Sequence, residues 1–139
     1  MKRSTELEMM DALDNPRELL EGDLKNLRLL NRYLGGARAL RRALAPVLAQ
    51  HDVVQLNILD VGAGSGDLAA EMVRWCARQG VAADVFTVER DPVTAALAAR
   101  RNRAVSGITS LRADAAALPF APRSFDCVKI GRASCRERV

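Results

Sequence analysis

The run Ile58-Leu59-Asp60-Val61-Gly62-Ala63-Gly64-Ser65-Gly66-Asp67 constrains this chain more than any other stretch. An apolar segment followed by three glycines at alternate positions and a helix-compatible sequence describes a strand that turns sharply into a helix. Gly62 permits backbone angles closed to residues with a Cβ, and Gly64 and Gly66 let a ligand approach the main chain closely. The helix opening near Asp67 presents unpaired amides and a partial positive charge to whatever lies before the turn.

The rest of the chain alternates in the order expected of a parallel sheet with crossover helices. Leu56 to Val61 reads as a first strand, Asp67 to Arg78 as a helix closed by Gly80, and Asp84 to Val88 as a second strand. Asp91-Pro92 supplies a cap and a first-turn proline for a helix through Val93, Ala96 and Leu97. Ile108 to Leu111 is a short third strand, and a fourth begins at Phe125 to Val128. Ahead of this body, Asn15-Pro16-Arg17-Glu18 has the form of a helix start. Leu20, Leu24, Leu27 and Leu34 recur at helical spacing, and Gly35-Gly36 breaks the run. Ala37 to Ala49 forms a second helix that Pro46 bends or ends early. The reading is an α/β fold with an incomplete parallel sheet of about four strands. Residues 1–50 form a helical cap, 51–129 the α/β domain and 130–139 a separate tail.

No apolar run approaches the roughly 20 residues of a membrane-spanning helix. Met1-Lys2-Arg3 continues into Ser4-Thr5-Glu6 without the apolar stretch of a secretory signal, so a cytoplasmic location is expected. Cys76, Cys127, Cys135 and the lone histidine, His51, have neither disulfide-framework nor zinc-site spacing, and no metal is expected. The net charge of +4 owes much to Ile130 through Val139, which holds three Arg against one Glu; without it the balance is +2, and no nucleic-acid partner is expected. That ten-residue string also resembles one reading frame of a common DNA-sequencing adapter. It follows an apolar strand with a charge-rich ending and no turn chemistry, and is read as foreign.

A dinucleotide fingerprint, G-x-G-x-x-G/A, would place its third small residue at Asp67, where a carboxylate repels pyrophosphate. Asp60, two residues before Gly62, suits a cationic ligand and is awkward beside phosphates. No Gly-Lys-Ser or Gly-Lys-Thr follows, which excludes a P-loop. The arrangement D-x-G-x-G-x-G resembles motif I of class I S-adenosylmethionine-dependent methyltransferases. The resemblance implies a Rossmann-like fold and an S-adenosyl-L-methionine site on Asp60, Gly62, Ala63, Gly64 and Gly66. Glu89, an acid at the end of the second strand, is placed to accept hydrogen bonds from both ribose hydroxyls. Arg90 stands where the family often has an apolar residue against adenine, and either stacks on the base or stays solvated.

Asp114-Ala115-Ala116-Ala117-Leu118-Pro119-Phe120, with Ser124-Phe125-Asp126, resembles the D-A-x-x-L-P-F…S-F-D signature of small-molecule methyltransferases related to the quinone-biosynthetic members. By that resemblance Asp114 accepts from the adenine amino group, and the Ala115 main chain reads the ring edge. Leu118, Pro119 and Phe120 read as a core-facing turn, Asp126 as structural, Cys76 and Trp75 as core or half-buried, and His51 as a surface residue. Asn31-Arg32 and Gly35-Gly36-Ala37-Arg38 resemble the segment that closes over the cofactor in related enzymes, although a cap packing its leucines explains them equally.

The implied reaction moves a sulfonium methyl group to a small-molecule acceptor, such as a quinone- or polyketide-like phenol or acid, by in-line displacement. No catalytic residue is identified, because the acceptor pocket of such enzymes is built largely from the front helices and from segments beyond the fourth strand. A chain ending here is expected to lack a complete sheet and to have little or no activity. Two other readings stand beside this one: an NAD(P)-binding oxidoreductase domain, opposed by Asp60 and Asp67, and a non-catalytic adenosyl-binding module. Resequencing the source locus is expected to show a different continuation in place of the last ten codons. Their recovery inside a longer natural frame would remove the adapter reading.

Overall fold

The computed structural model describes residues 22, 36–50, 52–130 and 134–137. The helix expected from Pro16 to Leu34 lies, apart from Gly22, outside the described residues, as do Asn31, Arg32 and His51. In chain order the elements are α1 (Gly36–Leu48), β1 (Gln55–Val61), α2 (Asp67–Arg78), β2 (Ala82–Glu89), α3 (Pro92–Asn102), β3 (Ile108–Arg112), β4 (Cys127–Ile130) and β5 (Ser134–Glu137).

The sheet order is β3-β2-β1-β4-β5. The first four strands are parallel, with Ile58 opposite both Val85 and Cys127, and β5 runs antiparallel to β4. The connections β1-α2-β2 and β2-α3-β3 step in one direction, so right-handed crossovers place α2 and α3 on one face. The step reverses between β1 and β4, and ligands of such sheets bind at the carboxyl ends of the strands beside that reversal.

The helix-covered face holds the larger core. Leu40, Leu44 and Val47, spaced along one side of α1, pack with Leu68, Ala69, Met72 and Cys76 of α2 over Leu56, Ile58 and Val85. On the opposite face, Leu59, Val61, Val88 and Val128 are covered by the connection from β3 to β4. Phe120 and Phe125 of that connection meet Phe86 edge-to-face, with ring centroids 5.9 and 5.5 Å from it, and meet each other at 4.8 Å. Leu118 and Phe120 thus face the core as the sequence suggests, and Asp126 accepts a hydrogen bond from the Asn57 amide at 2.9 Å.

The expected ends of α2 match, and Asp91 caps α3 by accepting from the Thr94 amide at 2.7 Å. Pro46 does not end α1 where it occurs. It sits in the last turn beside exposed Arg42, whose freed carbonyl can turn to water, and Ala49 still donates to the Ala45 carbonyl. One further expectation needs correction, since Cys127 is disulfide-bonded whereas Cys76 is free. β5 lies inside the last ten residues. An open strand edge pairs with any extended backbone, whatever its side chains, so no apolar alternation was needed to signal β5.

Leu44 is fully buried between α1 and the sheet. Leu44→Ala is expected to lower the unfolding free energy by about 2–5 kcal/mol, measured by urea titration, which makes α1 part of the core rather than an appended cap.

Candidate cofactor site and family

β1 ends at Val61, and the turn that follows is tied to β2 by main-chain bonds. The amides of Gly62 and Ala63 both donate to the Val88 carbonyl, at 2.9 and 3.1 Å, and the Gly66 amide donates to Ala63 at 3.0 Å. Gly62, Gly64 and Gly66 have φ of 67°, 57° and 72°, the left-handed region that side chains rarely adopt. The Cβ direction of Gly62 opens onto free space, as an approach to the main chain requires. Gly66 differs, because a Cβ there would lie 2.3 Å from Nδ2 of Asn102. The glycine at 66 therefore serves the packing of α3, whereas the sequence reading had it admit a ligand. Gly66 caps α2 without a side-chain bond, and the Ser65 hydroxyl donates to Asp67 in the helix's first turn.

Glu89, half-buried at the end of β2, faces this turn. One carboxylate oxygen accepts from the Gly64 amide at 3.1 Å, and the other from Arg90 and Asp91 amides at 2.8 and 3.2 Å. Three main-chain donors thus aim the group, while carboxylate oxygens retain acceptor capacity for further partners. The end of β3 joins the same rim through the Ala113 amide, which donates to the Glu89 carbonyl at 3.2 Å. Asp114 and Ala115 follow, both exposed, and Asp114 receives the Ala116 amide at 2.9 Å in a local turn. Arg90 is exposed, and Arg112 Nε donates to its carbonyl at 3.3 Å. Gly62 to Gly66, Glu89, Arg90, Asp114 and Ala115 therefore gather along the carboxyl ends of three adjacent strands.

Asp60 does not join them at the surface. It shares the helix-covered face with Leu56 and Ile58, is 0% exposed, and accepts a hydrogen bond from Lys129 Nζ at 2.5 Å. Asp60 stands opposite Thr87 on one side and Lys129 on the other, and the Thr87 hydroxyl donates to Ser110 at 2.9 Å. A polar row thus crosses four strands directly beneath the rim. Burial pushes the Asp60 carboxyl above its usual range, and the charge and hydrogen bond of Lys129 oppose that rise. Its second oxygen is buried with no hydrogen-bond partner.

Beside the rim, on the face opposite the helices, a cavity of about 660 Å³ is lined by Leu59, Val61, Ala115, Leu118, Phe125 and Ile130 among others. Among the described residues no group of acidic, histidine and cysteine side chains is placed to hold a metal ion, and no helix is long and apolar enough to cross a membrane.

A family model described as a methyltransferase domain matches residues 58–136, more than half of the chain. The chain belongs to the methyltransferase domain family. Solved structures similar to this methyltransferase domain include a Methanococcus maripaludis protein assigned as an S-adenosyl-L-methionine-dependent methyltransferase. It is 12% identical with a TM-score of 0.62, over 94% of this chain and 53% of that one. A second is a Haloferax volcanii complex of the Trm112 methyltransferase activator with an assigned methyltransferase, at 20% identity and TM-score 0.54 over 86% and 48% of the two chains. A third is phosphoethanolamine N-methyltransferase 2 of Haemonchus contortus in complex with S-adenosyl-L-methionine, at 25% identity and TM-score 0.52 over 70% and 21%. The methyltransferase domain thus spans about half or less of these chains. A search of curated protein sequences gives no match.

Two residues that shape this site escaped the sequence reading. Lys129 was inconspicuous because its partner Asp60 lies 69 positions away and is found only through strand register. Asn102, at the end of α3, carries no local motif, although polar residues buried at 3% exposure are uncommon without a partner.

Removing one member of a buried pair leaves an uncompensated charge. Lys129→Met is expected to destabilise the fold by about 3–5 kcal/mol at neutral pH, and adding Asp60→Asn to restore most of it. Without Lys129 the native Asp60 holds its proton to a higher pH than the unfolded chain does. The native state then binds more protons between those two pKa values, so stability falls as pH rises through that window. Urea titrations of Lys129→Met at several pH values should therefore show the loss shrinking toward acid. A loss independent of pH would detach Asp60 from the effect.

Proposed function

We propose that this methyltransferase domain binds S-adenosyl-L-methionine across the carboxyl ends of β1, β2 and β3, and supplies the cofactor half of a methyl transfer to a small-molecule acceptor. The observation that carries the reading is the carboxylate of Glu89, aimed at the glycine turn by the amides of Gly64, Arg90 and Asp91. Two adjacent ribose hydroxyls are donors that such a carboxylate accepts, and a pyrophosphate is not.

The remaining residues fit an adenosyl group. Asp114 has a carboxylate in reach of solvent for an amino donor, Ala115 offers exposed main chain at a ring edge, and the neighbouring apolar cavity supplies a wall for a flat base. Arg90 follows Glu89 and is exposed at the rim, where a guanidinium can stack on that base. Gly62 opens onto free space and Ala63 and Gly64 continue the turn at the methionine end, with Gly66 holding its curvature against α3. Asp60 supports the turn from below, through its pair with Lys129, rather than touching the cofactor. An acidic Asp67 in the first turn of α2 repels a pyrophosphate brought to that helix start, which opposes the oxidoreductase reading.

When bound, the cofactor supplies a methyl group on a cationic sulfur that an acceptor attacks in line. The chain's share is to fix the adenosyl end so that the methyl group is presented in one direction, and such positioning accounts for a large part of the rate in transfers of this kind. The small-molecule acceptor rests on the D-A-x-x-L-P-F…S-F-D resemblance, and a cytoplasmic setting for the enzyme is part of the same reading. The tail from residue 130 is read as foreign to the natural domain.

Calorimetric titration should show binding of S-adenosylmethionine and S-adenosylhomocysteine and none of NAD. Glu89→Ala should weaken the adenosyl ligands by about 1.5–3 kcal/mol. Binding of NAD alone would overturn the reading, and an unchanged affinity in Glu89→Ala would remove that residue from the site.

A further inference from the structure

We propose that Asn102 is a positioning residue for the cofactor turn: its side-chain amide, reaching from the last turn of α3, sets the left-handed geometry at Gly66. The inference rests on the adenosyl reading for its consequence, but its geometry is independent of any ligand. Asn102 is 3% exposed, and Nδ2 donates to the Gly66 carbonyl at 3.1 Å across 36 residues of sequence. A buried amide is tolerated only where it is hydrogen-bonded, so this contact is also what permits an asparagine in the stripe that Thr94 and Ala98 begin.

Gly66 occupies the one place in the turn where main chain and helix meet. Its amide is held by Ala63, its carbonyl by Asn102, and it caps α2 with φ 72° and ψ 16°. Ala98 contributes a small side chain, its Cβ only 3.6 Å from where a Cβ on Gly66 would lie, so α3 approaches closely. Arg101 adds an ion pair with Asp67 at 3.8 Å, next to Gly66. The end of α3 therefore clasps the junction from behind, while Glu89 holds Gly64 from the ligand side. A turn of three left-handed glycines is costly to order, because glycine loses more backbone freedom than any other residue. An anchor at its last member removes part of that freedom before a ligand arrives, which raises affinity by preorganisation.

Asn102→Asp keeps the shape of the side chain, deletes the donor and sets a carboxylate against the Gly66 carbonyl. The expected result is an affinity for S-adenosylhomocysteine lowered about tenfold by calorimetry, together with a loss of stability from the buried charge that Asn102→Ser does not share. The Gly64 and Gly66 amide signals of the ligand-free protein should broaden or shift in 1H–15N spectra, which a simple loss of packing at α3 would not cause selectively. In a double-mutant cycle, Gly66→Ala should do less damage in Asn102→Ala than in the parent, since the 2.3 Å conflict with Nδ2 is gone. Should Asn102→Asp fail to fold, Asn102→Ser removes the reach to Gly66 without adding charge and gives the same affinity and spectral readings. Undisturbed Gly64 and Gly66 signals in the folded variants, or additive effects in the cycle, would overturn the proposal. If the parent chain itself does not bind S-adenosylhomocysteine, the adenosyl reading fails, and the spectra and the cycle still decide the role of Asn102.

Discussion

The carbonyl of Val88 accepts two amides, those of Gly62 and Ala63, and the geometry of the rim follows from that shared bond. It carries the pairing of β1 and β2 past the end of the strands and bends the chain away only after the turn is anchored. Because β2 ends one residue later, Glu89 arrives facing Gly64 rather than pointing into water. Because the Glu89 carbonyl accepts from Ala113, the end of β3 is drawn to the same level. Three loops from distant parts of the sequence are thus brought to one line by main-chain bonds, with side chains adding direction and charge.

Beneath that line the sheet is unusual in burying polarity. The row Ser110, Thr87, Asp60 and Lys129 interrupts an otherwise apolar face at the level where a ligand site begins. Such a row is a weak source of stability, since the desolvation of Asp60 and Lys129 offsets most of their attraction. Its effect is on uniqueness of register. A slip of one residue between β1 and β4 would turn Lys129 or Asp60 toward the opposite core and leave the other charge alone.

Much of this arrangement was legible because it is written in local chemistry. The span of α2, the Asp91-Pro92 start of α3, the glycines of the turn and the acid closing β2 are each signalled within a few residues. The features that were missed depend on what lies across the sheet. Asp60 looked ligand-facing from its distance to Gly62, yet it is in phase with Leu56 and Ile58, and that alternation carried the warning that it points into the core. Gly66 looked like its two companions, and only the position of Asn102 shows that it answers to a helix. β5 arises from edge pairing, which leaves no trace in hydrophobic periodicity.

The pairing of β4 has a further consequence, for the order in which the fold can assemble. β1, β2 and β3 are joined by two short crossovers through α2 and α3, whereas Asp60 and Lys129 are separated by 69 positions. Loop-closure entropy grows slowly with length, so stability tolerates the long connection, but folding rates fall as contacts become less local. The glycine turn, Glu89 and the clasp from α3 all belong to the short-range half of the molecule. The ends of the strands that would hold an adenosyl group are therefore built from contacts close in sequence, and the polar row below them is completed by the strand most distant from them in sequence among the four parallel ones.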